Sequence, residues 1–438
     1  MEIAKTLESA TAALDFEVPL ESDDKRYVDF EVARGANVLN RLRRLLEREP
    51  QDQWFHGVFA SHRGAGKSTE LKRLAHQVQE QYFAVYFEAN VEMDAVKLSM
   101  EDLLLVIARV IEEKMRLRET PINNDALSRV EKWFSEVVFT DEQGKSFLGG
   151  VKTEANAEGG IPFVAKLLAS VTASFKVESS HRESMKNTLK KFPGTLMTLV
   201  NNLLDAAAEI LAKEQKRLLL LIDNMDRYEP AVIDDLLVKS AERFKALRCN
   251  VILTPPIGLV LKAESQNIDS VFRCETMPTV KLRESTQGYW EFTGTGRGAL
   301  LEALGKRIDL PGLIPDQEAQ NRLVAASSGA IRELLEMTQD VTLDANGEKI
   351  TLADVNLMLD RRRNRLRDRI DANGWWDVLN QIAESKRLDK SPEFLEIVYQ
   401  RLAFQYNGEL WYDVQPLISD LLTARKNAQS SKSKVKKR

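Results

Sequence analysis

The chain has 438 residues, 43% of them hydrophobic and 29% charged, with a formal net charge of −4; this is enough for roughly two to four domains and too apolar for a wholly disordered chain. No uncharged run approaches the ~18 apolar residues of a membrane span, and the first 25 residues, with early acids and no sustained apolar stretch, do not read as a signal peptide. Two cysteines and four histidines exclude a disulfide framework and a Cys-rich zinc site, so a cytoplasmic protein with no membrane partner is expected.

In chain order, WFHGVFA (54–60) reads as a strand that runs into SHRGAGKSTEL and then into the helical spacing Leu71, Leu74, Ala75, Val78, giving strand, glycine loop, helix. FAVYFEA (83–89) is a second strand. Ser99 and Asp102 form a capping box ahead of an apolar helical face at Leu103, Leu104, Val106, Ile107, Val110 and Ile111. A further helix carries Leu127, Val130, Trp133, Phe134 and Val137, and helical periodicity returns at 196–211; residues 141–183, with Gly-Gly pairs at 149 and 159, have no readable geometry. LLLLID (218–223) is a buried strand ending in an acid, NVILTPP (250–256) another, and TVKLRE (279–284) a shorter one. Apolar strands alternating with helices indicate a parallel sheet covered on both faces, a three-layer α/β domain. Beyond Glu284 the sheet strands stop. Helices around 300–308, 317–326 and 331–341 form a lid, and from Trp375 two helices precede a hairpin with an Asn407-Gly408 turn.

SHRGAGKS (61–68) matches the spacing GxxxxGK[ST] except that Ser61 replaces the opening glycine. Gly64 and Gly66 let backbone N–H groups turn toward phosphate oxygens, Lys67 reaches the β/γ-phosphates, and Ser68 supplies a hydroxyl for Mg2+ at a helix N-terminus. Ser61, His62, Arg63, Ala65 and Thr69 complete the loop. Asp223, at the end of the leucine-rich strand, is placed to hold Mg2+ through water. Asn224 stands where a second acid often orients the attacking water, so Asp226 is the substitute base to test; its alternative is an ion pair with Arg227 or a helix cap. Thr254, just after the NVIL strand, either senses the γ-phosphate or satisfies backbone at the strand end. ATP and Mg2+ are the expected ligands, and ATP hydrolysis the expected activity.

With the loop SHRGAGKSTEL, the strand end LLLLIDNMDR, the Thr254-Pro-Pro turn and SGAIREL (328–334), the chain resembles the AAA+/STAND class of P-loop ATPases, including origin-recognition-like and bacterial defence-associated members. The resemblance covers roughly residues 25–340. It implies that Arg332 is a lid arginine reading the γ-phosphate, and that Tyr27, Val28 and Arg34 belong to an adenine-side element. It further implies a parallel P-loop sheet with a large helical insertion, a helical lid and a winged-helix-like C-terminal unit. The expected segments are 1–45, with the adenine-side element; 46–89, opening the core; 90–216, the helical insertion; 217–285, completing the core; 286–345, the lid; 346–372, a basic connector; 373–424, the winged-helix-like unit; and 425–438, a disordered basic tail.

Other signals are weaker. Arg273 is a candidate arginine finger, a role for which any exposed arginine would qualify. Gly294 to Gly298 lacks the full dinucleotide-loop spacing and reads as a connection into the lid. RRRNRLRDR, with Arg361, Arg362, Arg363 and Arg365, is either a solvated or acid-paired helix face, a grip on nucleic acid, or a source of arginines for a neighbouring subunit. Trp375, Trp376, Trp411 and Tyr412 read as core of the small unit. The last fourteen residues hold seven basic residues and no acid. Subtracting those seven charges from the net −4 leaves −11 on residues 1–424, so nucleic-acid binding, if present, is confined to the C-terminal basic segments. The chain carries no nuclease, protease or NADase motif. The expected role is therefore an ATP-driven switch, forming a homo- or hetero-oligomer and controlling a separately encoded protein effector, in the manner of antiviral defence systems. The alternative is a nucleotide-regulated DNA-binding protein of origin-recognition or loader type.

Overall fold

In a computed structural model of the chain, the residues described are all except 1, 95, 97, 159–160, 177–179, 262–265, 293, 390, 407–410 and 437–438. Five parallel strands form one sheet: β1 (His56–Ser61), β2 (Tyr82–Glu88), β3 (Arg217–Asp223), β4 (Asn250–Leu253) and β5 (Arg273–Met277), in the order β2-β3-β4-β1-β5. The central strands β1, β3 and β4 are apolar and buried almost throughout, whereas the edge strands β2 and β5 mix buried and half-buried positions. That contrast follows from having one paired neighbour or two. Alternation sorts the β3 leucines: Leu218, Leu220 and Ile222 face one core, and Leu219 and Leu221 the other.

The two faces carry different layers. On one lie α2 (Val38–Arg48) and α3 (Lys67–Gln77), the helix that follows the glycine loop, with Leu42, Leu46, Leu71 and Leu74 buried against the sheet. The other carries the chain between β2 and β3, which is helical among its described residues: α4 (Met100–Leu117), α5 (Asn124–Trp133), α6 (Glu142–Glu158), α7 (Phe163–Phe175), α8 (Ser180–Lys191) and α9 (Pro193–Ala212). Helix α4 starts at the capping box, where the Ser99 N–H donates to Asp102 Oδ2 at 2.9 Å. The fold is thus a three-layer α/β arrangement.

A second core joins the rest. The lid helices α10 (Gly296–Gly305), α11 (Gln317–Ala326) and α12 (Ile331–Asp344) pack with α13 (Leu352–Asn373), α14 (Trp376–Ser385), α15 (Pro392–Tyr399), the antiparallel pair β6 (Ala403–Tyr406) and β7 (Trp411–Val414), and α16 (Pro416–Lys436). Trp375 and Tyr412 are buried in it and Trp376 packs at its edge, while Trp411 stacks on Tyr406. The N-terminal helix, Leu7–Ala13, also belongs here: it lies against α12, and Ala4 bridges to Ile308. No described helix is long and apolar enough to cross a membrane.

Two sequence expectations need correction. Residues 279–284 are not a strand; β5 is Arg273–Met277. Val280 and Leu282 alternate because they face the lid core, and the Val280 and Lys281 N–H groups donate to the Gly329 and Ala33 carbonyls rather than to a sheet neighbour. The basic tail continues α16 to Lys436 rather than standing apart as a disordered end. The helix is anchored by buried Leu417, Ile418, Leu421 and Leu422, and the Ala, Lys, Arg and Gln that follow propagate a helix readily. The Asn407-Gly408 turn and the Gly-Gly pair at 159 lie outside the described residues.

A candidate nucleotide cleft between the glycine loop and the lid

The loop between β1 and α3 opens onto a cavity with about 960 Å3 of atom-free space, counting its mouth. Arg63, Gly64, Gly66, Lys67, Ser68 and Thr69 form its floor. Tyr27, Val28, Phe30 and Arg34 form one wall, Asn224, Asp226 and Arg227 another, and Ile331, Arg332 and Leu335 the lid side. Gly64 and Gly66 both have positive φ, 86° and 99°. A Cβ at Gly64 would sit 2.7 Å from Arg332 Cβ, so glycine permits both the turn and the close approach of the lid. The Arg332 backbone N–H donates to the Gly64 carbonyl at 3.0 Å, which satisfies a free N–H of the first turn of α12 and ties lid to loop.

Lys67 opens α3, is 5% exposed, and places Nζ 2.5 Å from Asp226 Oδ2. Asp226 reaches it because Asn224 adopts a left-handed conformation (φ 60°) and throws Met225–Arg227 into a single 3-10 turn; Asn tolerates that region better than most residues. Asp226 therefore pairs with Lys67 and not with Arg227. Asp223 is fully buried, with Oδ1 accepting from Thr254 Oγ1 and Oδ2 from the Tyr86 hydroxyl, both at 2.8 Å. Burial, then the Asp223 and Glu88 carboxylates, hold the Tyr86 phenol far above its usual value, so it keeps the proton it donates. Thr254 thus clamps Asp223 from behind the cavity wall.

Several loop residues face away from the cavity. Ser61 is buried, its hydroxyl donating to the His62 carbonyl at 3.1 Å. Ala65 packs in the core beneath α3, and its carbonyl accepts from Arg34 Nη2 at 2.6 Å. Arg34, 4% exposed, also donates to Glu70 Oε1 at 2.9 Å, and the Tyr27 hydroxyl donates to Glu70 Oε2 at 3.3 Å. Tyr27 and Arg34 therefore border the cleft and brace α3 at once. His62 is the back of the loop. Its Nε2 accepts the Gln405 N–H of β6 at 2.8 Å, and its ring lies 5.0 Å from that of Phe404. Burial first, and then the Lys67 charge, push His62 down to about 3. Thr279 Oγ1 donates to the Gln405 carbonyl, and the Tyr406 hydroxyl to that of Ser328. Strand β6 is thereby fixed to the loop and to the start of the lid helix.

Electrostatics favour an anion. Burial lowers the Arg332 guanidinium from its ordinary value, Glu17 opposes the shift and Arg227, Arg63 and Arg401 add to it, so more cations than acids act on Arg332. Glu17 lies 3.4 Å from Arg332 Nη1 and 3.9 Å from Arg227 Nη2. The segment Asp15 to Leu20, which supplies Glu17, was missed in the sequence, as were the cavity-lining Arg26, Arg227 and Arg307; DFEVPL has no motif, and its neighbours in space are distant in sequence.

The other arginines lie elsewhere. Arg273 begins β5 opposite Gly57, at the amino ends of the strands and away from the loop. Arg361 pairs with Asp344 at 2.5 Å, Arg362 with Glu333, Glu336 and Asp340 at 3.0, 2.8 and 3.3 Å, and Arg363 with Asp420 at 3.1 Å. Arg365, Arg367 and Arg369 point outward. Residues 294–298 enter α10.

No family model matches the chain, and no curated protein matches it. Among solved structures it is similar to the Walker-type ATPase PABY2304 of Pyrococcus abyssi, at 14% identity, 94% of this chain, 99% of that one and a TM-score of 0.43. It is similar to the Aeropyrum pernix ORC1 protein in complex with DNA, at 12% identity, coverage of 95% and 97%, and a TM-score of 0.38. The RuvB Holliday junction branch migration motor of Thermotoga maritima aligns at 11% identity, coverage of 90% and 95%, and a TM-score of 0.33. None of these likenesses assigns a function to this chain.

Proposed function

We propose that the chain is an ATP-hydrolysing molecular switch. The observation that carries this reading is the convergence of Lys67, Ser68 and Arg332 on one cleft whose floor is hydrogen-bonded to both the lid helix and the C-terminal hairpin. A triphosphate in the cleft takes Lys67 from Asp226 and Arg332 from Glu17, exchanging carboxylate partners for phosphate. Adenine then lies toward Tyr27 and Val28. Mg2+ fits the donors present: the Ser68 hydroxyl at the cleft and the buried Asp223, whose carboxylate has lone pairs beyond the two hydrogen bonds it accepts. Among the described residues no cluster of His, Cys, Asp and Glu is built to cage a metal. When bound, the ion would neutralise phosphate charge.

Because His62 at the back of the loop holds Gln405, a shift of the loop on nucleotide binding is felt in β6 and in the unit around it. In this reading that unit, winged-helix-like in its order of two helices and a hairpin, presents or withholds a surface for a protein effector and for further copies of the chain. The resemblance to defence-associated ATPases supports an effector that belongs to a bacterial defence system. Amide hydrogen exchange across residues 403–406 tests the switch. Saturating Mg·ATP changes protection there in the native chain and leaves Lys67→Ala unchanged; equal protection with and without ATP contradicts it.

A second reading, nucleotide-regulated DNA binding, is favoured by one observation: Arg365, Arg367 and Arg369 are exposed on one helix. A salt titration of random duplex decides it. Binding with a steep salt slope supports it, and no binding at low salt removes it.

A further inference from the structure

Hydrolysis requires a group that takes a proton from the attacking water, and the position after Asp223 holds an amide, Asn224. The adjacent strand supplies a carboxylate at the same level. Strand β2 ends at Glu88, whose Cα pairs with that of Asp223 in the parallel register, and Asn224 Nδ2 donates to Glu88 Oε2 at 2.6 Å. We propose that Glu88 is the general base of this ATPase, an assignment that rests on the ATP-cleft reading above.

Three carboxylates gather at the ends of β2 and β3, and their partners separate them. Asp226 holds the Lys67 ammonium at 2.5 Å until a triphosphate takes the lysine, and it sits in the 3-10 turn beyond the strand end rather than in register with β2 and β3. Asp223 is fully buried, with an oxygen committed to Tyr86 and the other to Thr254. Glu88 is half-buried and is met by two neutral groups, the Asn224 amide and the Tyr86 phenol. Tyr86 and Glu88 share a strand face, by the two-residue period, so the Tyr86 hydroxyl fixes Asp223 while Glu88 stands beside it. Asn224 lines the cleft, and Glu88 is one hydrogen bond behind it. A change of rotamer or a single bridging water brings the carboxylate to the nucleophile. Asn224 serves as the holder of Glu88 in this scheme.

In the step itself, the water oxygen bonds to the γ-phosphorus as the bond from that phosphorus to the β,γ-bridging oxygen breaks. The bonding pair leaves on ADP, and the water proton passes to Glu88 and from there to solvent.

The test uses the full chain with Mg·ATP, measuring equilibrium ATP binding and single-turnover hydrolysis across pH for native, Lys67→Ala, Glu88→Gln and Glu88→Gln/Asn224→Asp. Glutamine at 88 still accepts the Asn224 hydrogen bond and cannot take a proton. It is expected to bind ATP within threefold of native, to lose roughly 10²- to 10⁴-fold in turnover, and to lose the acid limb of the pH profile. The double variant, which moves the carboxylate to position 224, recovers turnover at least tenfold over Glu88→Gln. Glu88→Gln turnover within threefold of native overturns the assignment, as does a native chain that binds ATP without turning it over. If native and Lys67→Ala bind ATP equally poorly, the cleft reading itself falls.

Discussion

Two stretches of this chain are conspicuous for basic residues, the glycine loop with Arg63 and Lys67 and the run Arg361 to Arg369 on α13, and the structure treats them in opposite ways. Lys67 faces a cavity, with one carboxylate partner and other cations nearby. Arg361, Arg362 and Arg363 lie among acids of α12 and α16 and join helices of the second core. The contrast teaches that cationic side chains become a ligand site where they face open space with their charge incompletely met. Where acids surround them they act as structural ties.

The sharpest way to break the comparison lies on the cleft side. Arg332→Ala, which leaves the backbone bond to Gly64 in place, is expected to lower ATP turnover by roughly 10³-fold, the low end for loss of an arginine acting on the transferred phosphoryl group; turnover within threefold of native places Arg332 with the structural ties. On the other side, Arg362→Ala leaves three acids facing one another and is expected to cost about 2 kcal/mol of stability, between the values for exposed and buried pairs. Its denaturation midpoint falls while ATP affinity stays within threefold.

The third prediction concerns pH. His62 stays neutral in the folded chain down to about pH 3, whereas the unfolded chain takes up a proton below about pH 6.5. The unfolded state therefore binds more protons through that window, and stability falls as pH drops, by up to about 1.4 kcal/mol per pH unit for this group. His56, also lowered by burial, acts with the same sign. His62→Gln, which retains an acceptor for the Gln405 N–H, flattens the acid-side slope in denaturation measured from pH 7 to 4; an unchanged slope removes His62 as its source. The smallest effect is expected for Arg365→Ala and Arg367→Ala, both exposed: stability within about 0.5 kcal/mol of native and unchanged ATP turnover.

What the sequence disclosed follows the same division. That Lys67 and Ser68 open a helix at the end of a glycine loop is legible because that pattern is written in contiguous residues; Arg332, which the resemblance points to, lines the same cavity, and Asp223 lies buried behind it. The β3 strand was legible because five consecutive apolar side chains serve two cores at once. Glu17, Glu88 and the His62–Gln405 bond were not, since each joins residues far apart in the chain whose meeting depends on how the lid, the sheet and the C-terminal unit close together. Strand β5 was missed because an edge position allows RCETM its charged and polar residues, while the neater alternation of TVKLRE comes from packing against the lid. The tail was misjudged from composition alone, which does not register an apolar anchor one turn upstream.

The central claim is that the cleft above Lys67 binds a nucleoside triphosphate, and titration calorimetry of the full chain with Mg·ATP tests it most directly. A single site per chain is expected for the native protein, with affinity reduced at least 100-fold in Lys67→Ala, measured at a temperature where that variant is still folded, since losing one partner of the buried Lys67–Asp226 pair lowers its stability. Equal heats for the two proteins, or none for either, would contradict it.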